Sequence, residues 1–226
     1  MLVTIEDLLD RETVEQIRKA LASAPWADGK VTAGYQSAPA KNNLQLPETS
    51  KASRRLGGLI LGALDRSLLF QTAALPYEVF PPLFNRYDEG HGFGTHVDNA
   101  FRPLPGSARR LRTDLSATVF LSDPGDYDGG ELVIEDAYGA QSVKLPAGQM
   151  VLYPATSLHH VTPVTRGSRL ASFFWIQSLV AEDARRSILF DMDLSLQSLR
   201  RELDENHPAL VTLTGCYHNL LRGWSA

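Results

Sequence analysis

The 226-residue chain contains little cysteine and no long apolar run. Its single cysteine, Cys216, excludes a disulfide framework within the chain and any zinc or iron–sulfur site built from several thiolates. We expect this lone thiol to be buried as a small apolar side chain. No apolar stretch approaches the roughly 20 residues that span a bilayer, and no basic leader precedes the acidic segment at Glu6. These features predict a soluble cytoplasmic protein without a membrane partner.

Positive charge is also scarce in this sequence. The 22 lysines and arginines are outnumbered by 26 aspartates and glutamates, and the formal net charge is −4. This balance disfavours nucleic acid as a partner, and the hydrophobic content of 43% excludes a globally disordered chain. Because thiolates are lacking, any metal site must use nitrogen and oxygen ligands. Six histidines and the many carboxylates are available for that purpose.

The pattern of apolar residues divides the chain into three parts. Residues 1–78 predict supporting helices, one capped by Asp10 and one that begins after Ser50. Residues 79–179 contain short β-rich segments between turns rich in Gly, Pro and Asp, which is typical of an antiparallel sandwich or barrel. The predicted strands cover residues 83–87, 115–121, 131–134, 142–145, 150–153, 160–164 and 170–179. Residues 180–226 return to helical spacing, so the predicted class is α+β.

The densest cluster of polar residues lies between Tyr87 and Asp98. Within it, His96 and Asp98 would share one face of an extended strand, because alternate strand residues point the same way. One imidazole and one carboxylate suit two adjacent positions on an octahedral metal, and a second histidine would complete the 2-His-1-carboxylate triad of non-haem Fe(II) oxygenases. By itself, the spacing favours a solvated histidine and aspartate at a strand end, because such pairs arise by chance.

A second cluster supplies further support for the metal site. His159 and His160 are adjacent in a β-rich segment, so they point to opposite faces of a strand and only one can enter the barrel. Arg169 follows ten residues after His159. An arginine at this distance can bind a carboxylate of a metal-bound cosubstrate, because its guanidinium stays charged and donates two parallel hydrogen bonds.

The order of these motifs resembles the Fe(II)/2-oxoglutarate-dependent dioxygenases, most closely the prolyl/lysyl hydroxylase-like branch and the bacterial PKHD-type hydroxylases. The matching segments are Tyr87-x-x-Gly90, His96-x-Asp98, Gly129-Gly130-Glu131-Leu132, His159-x-x-x-Pro163-Val164 and Gly167-x-Arg169. Residues 41–46, residues 172–178 and the helical tail also look like the PKHD-type hydroxylases. The resemblance therefore spans essentially the whole chain.

The resemblance implies a double-stranded β-helix (jelly-roll) core and a hydroxylase that uses Fe(II), 2-oxoglutarate and O2, with L-ascorbate as reductant. It implies that His96, Asp98 and His159 ligate the iron. Arg169 would bind the distal carboxylate of 2-oxoglutarate, and Tyr87 would also contact this cosubstrate. The substrate is an unidentified small molecule or peptide, and the family context suggests a link to iron uptake.

Several interpretations stay open at this point. A non-enzymatic metal or ligand sensor on the same barrel and a cupin-like metalloenzyme of another reaction type are the competing hypotheses. The segment from Asn99 to Asp114, which includes Arg102 and Arg112, forms either a lid or, more simply, a solvated loop, in which Arg112 and Asp114 form an ion pair. Residues 41–43 line the substrate mouth or form an ordinary polar turn. The C-terminal helices are expected to pack on the barrel or to form a homo-oligomer.

Overall fold

A computed structural model describes residues 1–32, 40–136 and 139–225. The α-helices in these ranges are α1 (Arg11–Ala22), α2 (Lys51–Arg66), α3 (Leu68–Ala74), α4 (Asp183–Glu202) and α5 (Pro208–Trp224). The strands are β1 (Val3–Ile5), β2 (Ala27–Asp28), β3 (Lys41–Asn42), β4 (Leu44–Gln45), β5 (Pro76–Val79), β6 (Leu83–Asp88), β7 (Gly92–His96), β8 (Phe101–Pro103), β9 (Arg110–Arg112), β10 (Leu115–Phe120), β11 (Tyr127–Gly129), β12 (Leu132–Asp136), β13 (Gly139–Val143), β14 (Met150–Pro154), β15 (Leu158–Val161) and β16 (Val164–Ser178). Short 3-10 helices cover Gly29–Thr32 and Pro124–Asp126.

The first two helices begin where the sequence predicts. The Asp10 side chain accepts a hydrogen bond from the Thr13 amide at 2.8 Å, and the Ser50 hydroxyl accepts one from the Ser53 amide at 3.0 Å. Each bond satisfies an amide that the helix itself leaves without a partner. The apolar faces of both helices join the main core, where Ile17 and other large side chains are fully buried.

Two large antiparallel sheets and the two-stranded sheet β8–β9 form the β-rich part of the described residues. The larger sheet has the order β1-β14-β10-β16-β6-β4-β2, with β11 and β5 also paired to β16, and the smaller sheet has the order β13-β12-β15-β7-β3. Residues from both sheets pack in one cluster, in which Tyr87 and Phe120 of the larger sheet meet Leu132 and Val161 of the smaller sheet. The predicted α+β class with a jelly-roll core is confirmed.

Two details of the predicted strands are wrong or incomplete. The expected strand over residues 160–164 is interrupted, because β15 ends at Val161 and β16 begins at Val164. Pro163 has no amide hydrogen for a ladder, and Thr162 bonds Glu131 both through its amide, at 3.0 Å from the Glu131 carbonyl oxygen, and through its hydroxyl, which donates to the Glu131 carboxylate. The segment from Asn99 to Asp114 contains a short hairpin, β8–β9, and not only a loop.

The turn between β11 and β12 requires glycine. Gly129 has a φ of +70°, and a Cβ there would lie 2.1 Å from the Pro163 carbonyl oxygen. We expect Gly129→Ala to lower the free energy of unfolding by roughly 2 kcal/mol or more. Gly125→Ala is the matched control, because its Cβ would meet nothing within 4 Å, and we expect a change of about 1 kcal/mol or less. The free energies of unfolding are measured by urea denaturation. An equal decrease in the two variants would contradict the requirement for glycine at position 129.

Helices α4 and α5 form a C-terminal hairpin around a small hydrophobic cluster, which Leu75 and Val180 also join. Leu189 and Leu196 of α4 pack against Leu210 and Tyr217 of α5. The expectation that Cys216 is buried is wrong: the thiol is exposed because α5 turns the face with Leu210 and Tyr217 toward α4. In the described part of the chain, no helix combines the length and apolar character needed to cross a membrane.

Candidate metal centre and cosubstrate pocket

His96 and His159 lie on neighbouring strands of the smaller sheet. His96 ends β7, His159 lies in β15, and the strand register places them directly opposite each other. Asp98 follows beyond the end of β7, because the pairing with β15 stops at His96, so the two motif residues do not share a strand as expected. One ligand atom from each of His96, Asp98 and His159 nevertheless lies within 4.8 Å of the others. This spacing can hold a metal ion.

Backbone carbonyl groups orient both imidazoles. Nδ1 of His96 donates to the Gly94 carbonyl at 2.8 Å, and Nδ1 of His159 donates to the Ser157 carbonyl at 3.0 Å. A neutral imidazole that donates from Nδ1 has its lone pair at Nε2. Both histidines therefore present Nε2 for coordination, and Nε2 of His159 lies 3.9 Å from Oδ2 of Asp98.

The surroundings of His96 keep its imidazole neutral. Burial is the main cause that lowers the pKa of His96 to about 4, and the neighbouring His159 lowers it further. The Gly94 carbonyl and the charge of Asp98 act in the opposite direction and offset only part of this effect. Metal ions bind the neutral form of imidazole. His96 is therefore in its coordinating form at neutral pH.

The carboxylate of Asp98 is held from the larger sheet. The Ser116 hydroxyl, on β10, donates a hydrogen bond to Oδ2 of Asp98. Sequence reasoning missed Ser116, although one signal was present. The signal is that Ser116 and Thr118 interrupt the otherwise apolar sequence of β10 at alternate positions, on one face of the strand. Because every residue of β10 is buried, this polar face lies inside the protein and lines the cavity.

We expect Ser116→Ala to weaken metal binding without removing it. The variant loses the hydrogen bond that orients the Asp98 carboxylate, and losses of this kind cost about 10- to 100-fold in metal affinity. The measurement is an anaerobic equilibrium titration with Fe(II). Ser172→Ala is the control, because Ser172 is equally buried but donates to the Leu83 carbonyl. Equal affinities of the two variants would rule out a role for Ser116.

Arg169 and Tyr87 lie on the larger sheet as cross-strand neighbours of β16 and β6. Arg169 is 1% exposed, and its guanidinium carbon lies 5.3 Å from the ring centroid of Tyr87 and 5.2 Å from that of Phe120. Among the described residues, no carboxylate forms an ion pair with Arg169, and its Nε has no hydrogen-bond partner. Burial of an unpaired guanidinium is costly, so the geometry is suited to an anionic ligand.

One cavity between the two sheets connects these groups. The predicted site residues Tyr87, His96, Asp98, His159 and Arg169 all line it. Burial raises the pKa of the Tyr87 phenol, although Arg169 opposes the shift, so this hydroxyl remains protonated and can donate a hydrogen bond. The lining also includes Ser116 and Thr118 of β10 and, among others, Lys41, Asn85, Phe93, Asn99, Arg102, Tyr153, Phe173 and Trp175.

The remaining polar candidates lie elsewhere. His160 is on the other face of β15, with Nδ1 4.0 Å from a carboxylate oxygen of Glu135. The expected ion pair of Arg112 and Asp114 is confirmed at 2.7 Å. It is part of a structural network, because Asp114 also accepts a hydrogen bond from the Ser178 amide.

Models of two protein families match most of the chain from the β-rich part onward. Residues 82–177 match the 2OG-Fe(II) oxygenase superfamily. Residues 183–226 match the PKHD-type hydroxylase C-terminal domain. The first range contains β6 to β16 almost completely, and the second contains the α4–α5 hairpin.

Known proteins similar to this chain agree with these matches. The chain is 60% identical over 225 residues to a PKHD-type hydroxylase of Saccharophagus degradans and to the PKHD-type hydroxylase PiuC of Pseudomonas aeruginosa, with 100% of this chain and 99% of each relative covered. A crystal structure of a Pseudomonas putida prolyl-4-hydroxylase has the same fold, with a TM-score of 0.53 at 19% identity over 78% of this chain and 92% of that chain. Identity at this level over the full length shows that the chain belongs to the PKHD-type hydroxylases of the 2OG-Fe(II) oxygenase superfamily.

Proposed function

We propose that the cavity between the sheets binds Fe(II) through His96, Asp98 and His159 and 2-oxoglutarate through Arg169 and Tyr87, and that a C–H bond of a substrate is hydroxylated there. Family membership makes the chain a dioxygenase with these cofactors and O2. One observation carries the residue assignment: a His–Asp–His cluster lines the same cavity as the buried guanidinium of Arg169, which forms no ion pair with any described residue.

The chemistry of the donor set fits these cofactors. Two neutral imidazoles and one carboxylate are the ligands of non-haem Fe(II) oxygenases, and with Fe(II) they leave one positive charge that suits a chelating dianion. When bound, Fe(II) and 2-oxoglutarate supply oxidative decarboxylation to succinate and CO2, coupled to hydroxylation. Arg169 binds the distal carboxylate with two hydrogen bonds and neutralises it. The Tyr87 phenol lies beside Arg169 and donates a further hydrogen bond.

The test is an anaerobic titration followed by exposure to O2. Addition of Fe(II) and 2-oxoglutarate to the purified protein is expected to produce a weak visible charge-transfer band. Admission of O2 is then expected to consume 2-oxoglutarate and to release succinate in equal amount. A protein that shows neither the band nor 2-oxoglutarate-dependent O2 consumption would refute the proposal. A sensor would bind the metal without forming succinate.

The finer parts of the function rest on the family resemblance and stay predictions. They are a substrate connected with iron uptake, ascorbate as the reductant and a cytoplasmic location. Iron starvation is expected to raise expression of the protein, and ascorbate is expected to prolong turnover. Expression that does not respond to iron would argue against the first of these predictions.

The assembly and the division of the chain are proposals of the same kind. A homo-oligomer through α4 and α5 is supported by the exposed apolar side chains Val211 and Leu213, which are 58% and 41% exposed. Light scattering of the wild type and of Val211→Asp tests this, and a monomeric wild type would contradict it. The division at residues 78/79 and 179/180 is compatible with the family matches, which lie within its second and third parts.

A further inference from the structure

We propose that Tyr127 positions the Arg169 guanidinium for the distal carboxylate of 2-oxoglutarate, and that it thereby strengthens the preference of the enzyme for a dicarboxylate cosubstrate. This role rests on the proposed function and adds a positioning residue to its cosubstrate pocket. It is supported by the place of Tyr127 in the fold, by the contacts that hold its ring and by the hydrogen-bonding capacity of its buried oxygen.

Tyr127 lies beside the strand that carries Arg169. It begins β11, which pairs with β16, and its cross-strand partner is Gly167, two residues before Arg169. Because residues two apart on a strand point to the same face, Tyr127 and Arg169 are diagonal neighbours on one face of the sheet. Tyr127 is fully buried and packs in the same cluster as Tyr87 and Phe120, whose rings contact the guanidinium.

Two further contacts fix the ring of Tyr127. Nζ of Lys144 lies 4.1 Å from the ring centroid and donates a hydrogen bond to the Tyr127 carbonyl oxygen at 2.8 Å. Gly130 lies against the ring edge, since a Cβ on Gly130 would be 3.0 Å from Cε2 of the ring. A ring packed in this way gives its oxygen a defined position, which is what a group that orients another side chain requires.

The oxygen of Tyr127 lies near Arg169 without a full hydrogen bond between them. Burial raises the pKa of this phenol, while the charge of Arg169 and a hydrogen-bonding contact with its side chain oppose the shift. The contact falls short of ordinary hydrogen-bond geometry, because neither the phenol oxygen nor Nε of Arg169 has such a partner among the described residues. Both atoms are buried, and a buried polar atom without a partner is costly. An acceptor and a donor therefore lie close together with their bonding capacity unused.

Tyr127 acts on the cosubstrate through Arg169. A guanidinium has five N–H donors in a planar fork, and two parallel bonds to a carboxylate leave three for other acceptors. Tyr127 is not among the described residues that line the cavity, whereas Tyr87 is one of them. We expect the Tyr127 oxygen to accept one of the remaining N–H groups, which limits rotation of the guanidinium and keeps its other edge directed to the distal carboxylate.

The experiment compares two 2-oxo acids that differ in the distal carboxylate. 2-Oxoglutarate and 2-oxopentanoate, which lacks that carboxylate, are titrated anaerobically into protein loaded with Fe(II), and the charge-transfer band reports the Kd of each. We expect Tyr127→Phe to weaken 2-oxoglutarate binding by about 3- to 10-fold, as the loss of one hydrogen bond does, and to leave 2-oxopentanoate binding unchanged. A general distortion of the pocket would weaken both. Tyr217→Phe, at a buried tyrosine of α5, is the matched control.

Two further measurements separate positioning from packing. In the Arg169→Met background, Tyr127→Phe should cause no additional loss of 2-oxoglutarate affinity, because the guanidinium through which it acts is already absent. Without ligands, the thermal unfolding midpoint of Tyr127→Phe should equal or exceed that of the wild type. The variant keeps the ring and removes a buried hydroxyl that has no full hydrogen-bond partner among the described residues.

The outcomes separate this inference from the proposed function. Unchanged 2-oxoglutarate affinity in Tyr127→Phe, an equal loss for both 2-oxo acids, a further loss in the Arg169→Met background, or a lowered unfolding midpoint would each overturn the role of Tyr127. A wild type that binds 2-oxoglutarate no more tightly than 2-oxopentanoate would instead refute the assignment of Arg169 in the proposed function. A missing charge-transfer band in the wild type would refute the proposed function as a whole.

Discussion

His159→Ala is expected to abolish 2-oxoglutarate-dependent O2 consumption, whereas His160→Ala is expected to keep it. The two residues are adjacent, but β15 turns His159 into the cavity and His160 to the other face. Removal of Nε2 of His159 leaves the site with two of its three ligands. Loss of a group that only orients a metal ligand lowers metal affinity or activity by about 10- to 100-fold. Because His159→Ala removes a ligand itself, we expect turnover to fall by more than about 100-fold.

The comparison within this pair isolates coordination from other effects. Both variants remove one imidazole from the same strand, so a general destabilisation of β15 would affect both. The anaerobic charge-transfer band should be missing in His159→Ala and unchanged in His160→Ala. A band that survives in His159→Ala, or is lost in His160→Ala, would require a different ligand set.

Arg169→Met is expected to weaken 2-oxoglutarate binding by about 100-fold or more without destabilising the cofactor-free protein. Each hydrogen bond to a charged group contributes about 1.5–3 kcal/mol, and the guanidinium can make two to the distal carboxylate. In the cofactor-free protein this guanidinium is buried and forms no ion pair within the described part of the chain. Loss of its contacts with Tyr87 and Phe120 is offset by removal of the buried charge, so the free energy of unfolding should change by about 1 kcal/mol or less.

Thermal unfolding with a redox-stable metal and 2-oxoglutarate tests both parts of this prediction. At a 2-oxoglutarate concentration 100-fold above its Kd, the wild type should gain about 2.7 kcal/mol, and the variant should gain much less. Arg166→Met is the control, because Arg166 is exposed and pairs with Asp128 at 2.7 Å. An Arg169→Met protein that responds fully to 2-oxoglutarate, or that loses several kcal/mol in its absence, would contradict the assignment.

The parts of the site that the sequence predicts are those carried by short motifs. The strand period of two shows that only one of His159 and His160 can enter the cavity, and the order of the motifs around His96, Asp98 and Arg169, which resembles that of the family, selects His159. Sequence spacing alone does not determine where a strand ends. Asp98 therefore lies beyond β7, although its carboxylate still reaches the two imidazoles.

The parts that the sequence does not predict depend on contacts between distant segments. Ser116 reaches Asp98 only because β10 of the larger sheet lies opposite the loop after β7. Lys41 enters the cavity because β3 adds to the edge of the smaller sheet, and the sequence left its role open between the substrate mouth and a polar turn. For Cys216, the helical spacing predicts a helix, but the packing of α5 on α4 determines which face is exposed.

The most direct test of the account is an anaerobic crystal structure with Mn(II), which stands in for Fe(II), and 2-oxoglutarate. One anomalous peak is expected, from a metal ion bound by Nε2 of His96, the Asp98 carboxylate and Nε2 of His159. The distal carboxylate of 2-oxoglutarate should form two hydrogen bonds with the Arg169 guanidinium. A metal bound elsewhere, or a distal carboxylate placed on Lys41, would contradict it.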